Sequence, residues 1–285
     1  MEITQFSAKK LCTVHSGQAE CRILCLIASK GRFLYYINNK TRKYLVLVIV
    51  MFTIAVITIG QSPRPDITSD LRKLLPEGVC MTEYGALDGL TRQQAEEQFG
   101  YRGRGELLIT RMGGNGSSLK VDGDSIMGQL QTCICRAQED GADAALIACT
   151  GVFPDYEHQL PLLLPGEPQR KATMNLAGEQ LMGVVIPKEH QREQIAGWWR
   201  ESGARHILFG IADPYEDPKK IVEAALELKA AGARVLCLDC FGYTTRQQAD
   251  VQKATGLETV LPRTVLIEEL TALRNITPKD SADAR

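Results

Sequence analysis

The chain has 285 residues, a formal net charge of −1, 44% hydrophobic residues and 24% charged residues. A charge so near zero gives no electrostatic basis for a nucleic acid or an anionic membrane as partner, and the apolar fraction is that of an ordinary globular protein, not of a disordered or fibrous one. Nine cysteines would suggest a disulfide framework only in a short secreted chain. Here Cys80, Cys133, Cys149 and Cys237 lie inside apolar runs, where a thiol packs as a small hydrophobe, so a reducing, cytoplasmic setting is expected. The four histidines (His15, His158, His190 and His206) include no pair at helical ligand spacing, and no metal site is expected from them.

Residues 1–43 are basic, with Lys9, Lys10, Arg22, Lys30, Arg32, Lys40, Arg42 and Lys43 against Glu2 and Glu20, and they show no sustained period of 3.6 or 2. The uncharged run Leu45–Ile59 follows. As a helix its 15 residues would span roughly 22 Å against about 30 Å of hydrocarbon, and it is rich in Val, Ile and Thr, which favour strands. Two readings stand: a membrane anchor, or a buried first strand over residues 52–59 with Met51 as the true initiator. The second is preferred, and makes residues 1–50 a poorly structured upstream extension.

Gly60, Pro63 and Pro65 force a loop after that strand, and Asp66 is expected to cap a helix over residues 67–75. The loop's Gln61, Ser62 and Arg64, at a helix N-terminus, suit a carboxylate or phosphate; a tight turn with Arg64 in solvent reads the same residues. A strand over 79–84, a capping box at Thr91 and Gln94, and strands over 106–112 and 118–121 come next. Gly113–Gly116 between the last two resembles a phosphate loop, but it lacks the Lys-Ser/Thr ending and a following helix. A β-hairpin is expected. Asp124 is expected to cap a helix with Ile126, Leu130, Ile134 and Ala137 on one face. Cys133 and Cys135, two apart on it, point to different faces. Gly141 ends it, and the apolar strand 144–148 runs into Cys149-Thr150-Gly151.

A proline-rich connection through Pro161, Pro165 and Pro168 leads to a second half that repeats the first. Strand 181–186 is followed by a helix over 191–202 burying Ile195 and Trp198 or Trp199, then by strand 204–210. Asp217-Pro218 opens another helix, and strand 234–238 runs into Asp239-Cys240-Phe241-Gly242-Tyr243. Thr244 or Thr245 caps the next helix; a short strand over 258–261 and a last helix to about residue 273 complete the chain. The order helix, glycine, strand recurs at Gly141, Gly203 and Gly232. Alternating helices and apolar strands call for parallel sheets.

In open α/β sheets, ligands sit outside the carboxyl ends of the strands. Two strands that each deliver a cysteine there can present two thiols to one cleft, one to remove a weakly acidic proton and the other to return it. Thr150, Gly151 and Gly242 would donate hydrogen bonds beside them. The plainer reading is that both cysteines are core residues. Cys237 and Cys240 also form C-x-x-C, but a redox motif opens a helix and Cys237 lies in the strand. Asp239 would pair with a basic group or cap the next helix.

Taken together, Thr58–Arg64, the hairpin over 110–121 and Leu238-Asp239-Cys240-Phe241-Gly242-Tyr243 resemble the AroM family, which is similar to the aspartate/glutamate/hydantoin racemases. The resemblance covers roughly residues 51–275. It implies two pseudo-symmetric flavodoxin-like lobes with parallel sheets: residues 51–180, with 258–275 packing back on them, and residues 181–257. It also implies cofactor-independent racemase or isomerase chemistry on a small carboxylate, with Cys149 and Cys240 as acid and base. Gln61, Ser62, Arg64, Thr150, Gly151, Gly242 and Tyr243 would bind the substrate. Phe241 departs from that pattern, standing where racemases carry threonine. A non-catalytic ligand-binding protein of the same fold is the alternative.

Overall fold

From Phe52 onward strands and helices alternate, and the alternation builds parallel sheets. The computed structural model describes residues 8–16, 19–28, 32–39, 42–49, 51–103, 105–114 and 116–280, with side chains described only between residues 51 and 273. The chain divides into two compact units, residues 1–53 with 76–80, and residues 54–75 with 81–285.

In the first unit the backbone forms strands β1 (Ala8–Ser16), β2 (Ala19–Ala28), β3 (Arg32–Asn39) and β4 (Arg42–Ile49), joined in that order as an antiparallel sheet. The side chains that make residues 1–43 basic lie outside the described residues. The run Leu45–Ile59 is divided between β4 and β5 (Phe52–Thr58) and is not one helix. Among the described residues no helix is long and apolar enough to cross a membrane.

The second unit carries two parallel sheets. After β5 come α1 (Pro65–Leu74), β6 (Val79–Gly85), α2 (Arg92–Phe99), the hairpin β7 (Leu107–Arg111) and β8 (Ser118–Asp122), α3 (Gly123–Glu139), β9 (Ala144–Ile147) and β10 (Leu162–Leu163). Next are α4 (Gly166–Ala177), β11 (Met182–Ile186), α5 (Arg192–Glu201), β12 (Ile207–Ile211), α6 (Pro218–Ala230), β13 (Val235–Leu238), α7 (Thr245–Thr255), β14 (Glu258–Val260) and α8 (Pro262–Asp280). One sheet has the order β10-β9-β5-β6, with Ala145 paired in parallel to both Ala55 and Leu162. The other has the order β12-β11-β13-β14, all parallel. Helix α8 leaves the second sheet to pack against α4, α1 and β10. The α/β class with parallel sheets is as expected.

Burial explains why the strands read as continuous apolar runs. β9, β11 and β13 are buried at every residue, which requires helices on both faces. Ile57, Ile126, Ile134 and Ile147 pack on one side of the first sheet; Trp199 and Cys237 pack with Val184 in the second. Each fully buried aliphatic side chain contributes about 1.5–3 kcal/mol. Cys133 is buried and Cys135 exposed, the two faces that their spacing requires.

Four local expectations need correction. Helix α1 starts at Pro65, two residues earlier than expected, and Arg64 at its N-cap offers no side-chain cap; Asp66 lies in the first turn instead. Helix α3 is capped by Asp122, which accepts from the Ser125 amide, and not by Asp124. The proline-rich connection contains β10 and the whole of α4; Pro165 and Pro168 occupy its N-cap and first turn, where a missing N–H costs nothing. The last helix continues past residue 273 to Asp280.

Candidate functional site

The two cysteine-bearing exits have the same local geometry. After β9 the Ala148 amide donates to the Ile57 carbonyl of the neighbouring strand (2.8 Å), and the Cys149 amide turns back onto the Ile147 carbonyl (2.8 Å). After β13 the Asp239 amide donates to Val185 (2.9 Å) and the Cys240 amide to Leu238 (3.0 Å). The glycine two residues on donates its amide to the sulfur in each case: Gly151 to Cys149 Sγ (3.5 Å) and Gly242 to Cys240 Sγ (3.3 Å). Both cysteines line a single cavity of about 140 Å³. Its other walls come from the exits of β5, β11 and β12 and from β7, so it opens at the carboxyl edges of both sheets, where such folds hold ligands.

Burial dominates the electrostatics. It pushes the Cys149 thiol up to about 11, the Gly151 amide opposing and the negative charges of Asp239 and Glu106 adding. Burial also pushes Cys240 up to about 12; the Gly242 amide opposes, and charge on Cys149, Asp239 and Asp213 adds. The two sulfurs therefore sense each other. Asp239 is itself held up by burial, against donors from Trp199, Thr150 and Gln169 and the charge of Arg170.

Of the residues expected to bind substrate, Arg64, Thr150, Gly151 and Gly242 line the cavity with the two cysteines. Arg64 is not in solvent: it is 5% exposed. Its Nε and Nη2 donate to the two carboxylate oxygens of Asp66 (2.9 and 2.7 Å), Nη1 to the Thr58 hydroxyl (3.1 Å) and Nη2 also to the Tyr215 hydroxyl (2.9 Å). Its charge is matched within the protein.

Three expected residues lie off the cavity. Gln61 donates its Nε2 to the carbonyls of Leu87 (3.2 Å) and Leu90 (2.6 Å), fastening the β5 exit to the loop before α2. Ser62 is held by Asp88, which accepts from its amide and its hydroxyl, both at 2.7 Å. Tyr243 is fully buried in a core cluster with Val185, Leu236 and Leu261, its hydroxyl donating to the Ala212 carbonyl. In each case a neighbouring loop, not a ligand, takes the polar group.

Other residues build the site without a sequence signal that singles them out. Asp239 neither caps α7 (Thr244 does, in a capping box with Gln247) nor sits in solvent; it accepts from Trp199 Nε1 (2.7 Å) and from Gln169 Nε2. Tyr215, after β12, reaches the β5 exit, donating to Asp66 Oδ2 (3.1 Å) while the Arg111 guanidinium lies 4.3 Å from its ring centroid. Arg263 is fully buried and donates to the carbonyls of Phe241 (2.9 Å) and Gly242 (3.3 Å) and to Asp70 Oδ2 (3.0 Å). It thereby fixes the turn that carries Cys240. The hairpin is docked by Gln194, whose amide exchanges two hydrogen bonds with the Leu107 backbone as a strand neighbour would. Gly60 admits its close approach, because a Cβ there would stand 2.1 Å from the Arg111 carbonyl oxygen.

Two parallel sheets with one cleft at their carboxyl edges give an α/β fold that is also found in arylmalonate decarboxylase. A liganded, double-substituted variant of that enzyme aligns with a TM-score of 0.53 at 13% identity, over 79% of this chain and 93% of the other. The unliganded enzyme aligns at 0.52, with the same identity and coverage. Allantoin racemase from Pseudomonas fluorescens aligns at 0.49 with 17% identity, over 78% of this chain and 91% of the other. No curated protein matches the sequence at a significant level. The family model of the AroM protein matches residues 54–273: the chain belongs to the AroM family.

Proposed function

We propose that this protein moves a proton on and off the carbon next to a small carboxylate, with Cys149 and Cys240 as the two acid–base groups and no cofactor. The observation that carries the reading is the matched pair of exits, each placing a sulfur in one cavity with an i+2 glycine amide aimed at it. A thiolate of either cysteine takes the α-proton, the electron pair passes into the carboxylate as an enediolate, and the opposite thiol returns a proton to the other face. The pair of thiols ends with its protonation exchanged, and the substrate with its configuration inverted. Thr150, Gly151 and Gly242 stand where they can hold the substrate, as does Arg64 through the wall it builds with Tyr215 and Asp66.

A second reading, a ligand-binding protein without turnover, is favoured by one observation: thiols pushed up to about 11 and 12 are almost wholly protonated at neutral pH. Incubation with a panel of amino and hydroxy acids in deuterated water separates the two. Deuterium entering at the α-carbon, and lost in both Cys149→Ser and Cys240→Ser, is the expected result. Binding without any exchange would leave only the second reading.

A further inference from the structure

The cations that line the cavity are neutralised within the protein, with one exception. Arg64 is paired with Asp66. Lys188 is paired with Asp213 (2.8 Å) and Glu216 (3.0 Å). Arg111, on β7, lies against the Tyr215 ring, and among the described residues no carboxylate pairs with it. Its Nε is buried and has no hydrogen-bond partner. A buried cationic donor without a partner costs free energy comparable to a strong hydrogen bond, so a site that keeps one is built for an anion. On the same cavity, Gln191 is 8% exposed, and its Oε1 is buried and likewise without a partner. An acceptor left open in this way fits a ligand group that donates a hydrogen bond. Between them the walls are apolar: Leu108, Ile195 and Trp198 line the space.

We infer that Arg111 and Gln191, and not the neutralised Arg64, set the ligand specificity of this cavity. Arg111 takes the carboxylate, Gln191 takes a hydroxyl or amino donor, and a short apolar remainder lies along Leu108, Ile195 and Trp198. One unopposed guanidinium matches a monoanion. The ligand class is thus a small monocarboxylic acid with a single donor group, in a cavity of about 140 Å³. The inference rests on the reading that the cavity binds a small carboxylate; it does not require that turnover occurs.

Isothermal titration of the full chain with three probes tests it: 2-hydroxy-3-methylbutanoate, its amide, which lacks the charge, and 3-methylbutanoate, which lacks the hydroxyl. The wild type is expected to prefer the hydroxy acid to either relative by about tenfold or more, since each relative leaves one buried group unpaired. Arg111→Met removes the preference for acid over amide and leaves that for the hydroxyl; Gln191→Leu does the reverse. Arg111→Lys and Gln191→Asn, which keep a charge and an amide, restore part of each preference and cover the case in which an apolar variant fails to fold. Equal affinity for acid and amide in the wild type, either preference surviving its own substitution, or no binding of any probe at millimolar concentration overturns the inference. Binding with the expected pattern but without α-deuterium exchange leaves it standing while removing the catalytic reading.

Discussion

At the residue scale, one buried carboxylate adds to what burial does to both thiols. Asp239 is 3% exposed, and its negative charge helps to hold both Cys149 and Cys240 up. Replacing it with asparagine removes that charge while keeping the shape, so alkylation of the two cysteines by iodoacetamide should move to lower pH by about one unit. Loss of one acceptor for Trp199 or Gln169 should cost about 1–3 kcal/mol of stability. An unchanged alkylation profile would mean that burial alone sets the thiols. The same shifts fix the pH dependence of exchange. In the proposed reaction the active form is the thiolate, whose fraction is small well below pH 11, so the exchange rate should rise about tenfold per pH unit from neutral to mildly alkaline solution. A bell centred near neutrality would contradict the assignment. The cysteines were legible in the sequence because each ends an apolar run. Arg111 and Gln191 were not, because what marks them is a missing partner, and only coordinates reveal that.

At the scale of elements, the Cys240 turn is fixed by α1 and α8 as well as by its own strand. Asp70 on α1 accepts from the Thr245 amide (3.0 Å) and hydroxyl (2.7 Å) and from Arg263 (3.0 Å), while Arg263 ties down the two carbonyls after Cys240. Arg263→Met should leave Asp70 buried and short of its cation, at a cost of about 3–5 kcal/mol, read as a lowered urea midpoint. A loss below about 1 kcal/mol would show that the clamp is dispensable. Burial raises the Asp70 carboxyl, but the Thr245 donors and Arg263 outweigh it and hold it below the usual range. Its contribution is therefore present above pH 4 or so and is lost as pH falls through the lowered value, and Asp70→Asn should flatten the acid limb of the stability curve. Helix α4 shows why some elements stay hidden in a sequence. Its inward face carries Gln169, Arg170 and Thr173, all buried, so an apolar stripe is absent. Gln169 and Arg170 serve Asp239, Ser202 and Thr150 instead, and the Thr173 hydroxyl donates back to the Gln169 carbonyl.

At the scale of the whole molecule, the parallel sheets and most caps could be read from the chain because local rules act alone there: capping boxes at Thr91 and Thr244, Pro218 opening α6, and glycines at positive φ after α3, α5 and α6. The site was readable only in outline. Gln61, Ser62 and Tyr243 carry groups that suit a ligand, but long-range neighbours such as Asp88 and Ala212 claim them, and sequence spacing does not register those partners. The proposed function requires one spatial relation, a small acid held between two sulfurs. A crystal of the protein soaked with 2-hydroxy-3-methylbutanoate tests it most directly. Difference density should place the carboxylate at Arg111 and the α-carbon between Cys149 Sγ and Cys240 Sγ, one on each face. An acid bound with both sulfurs on the same face, or with neither in contact, would contradict it.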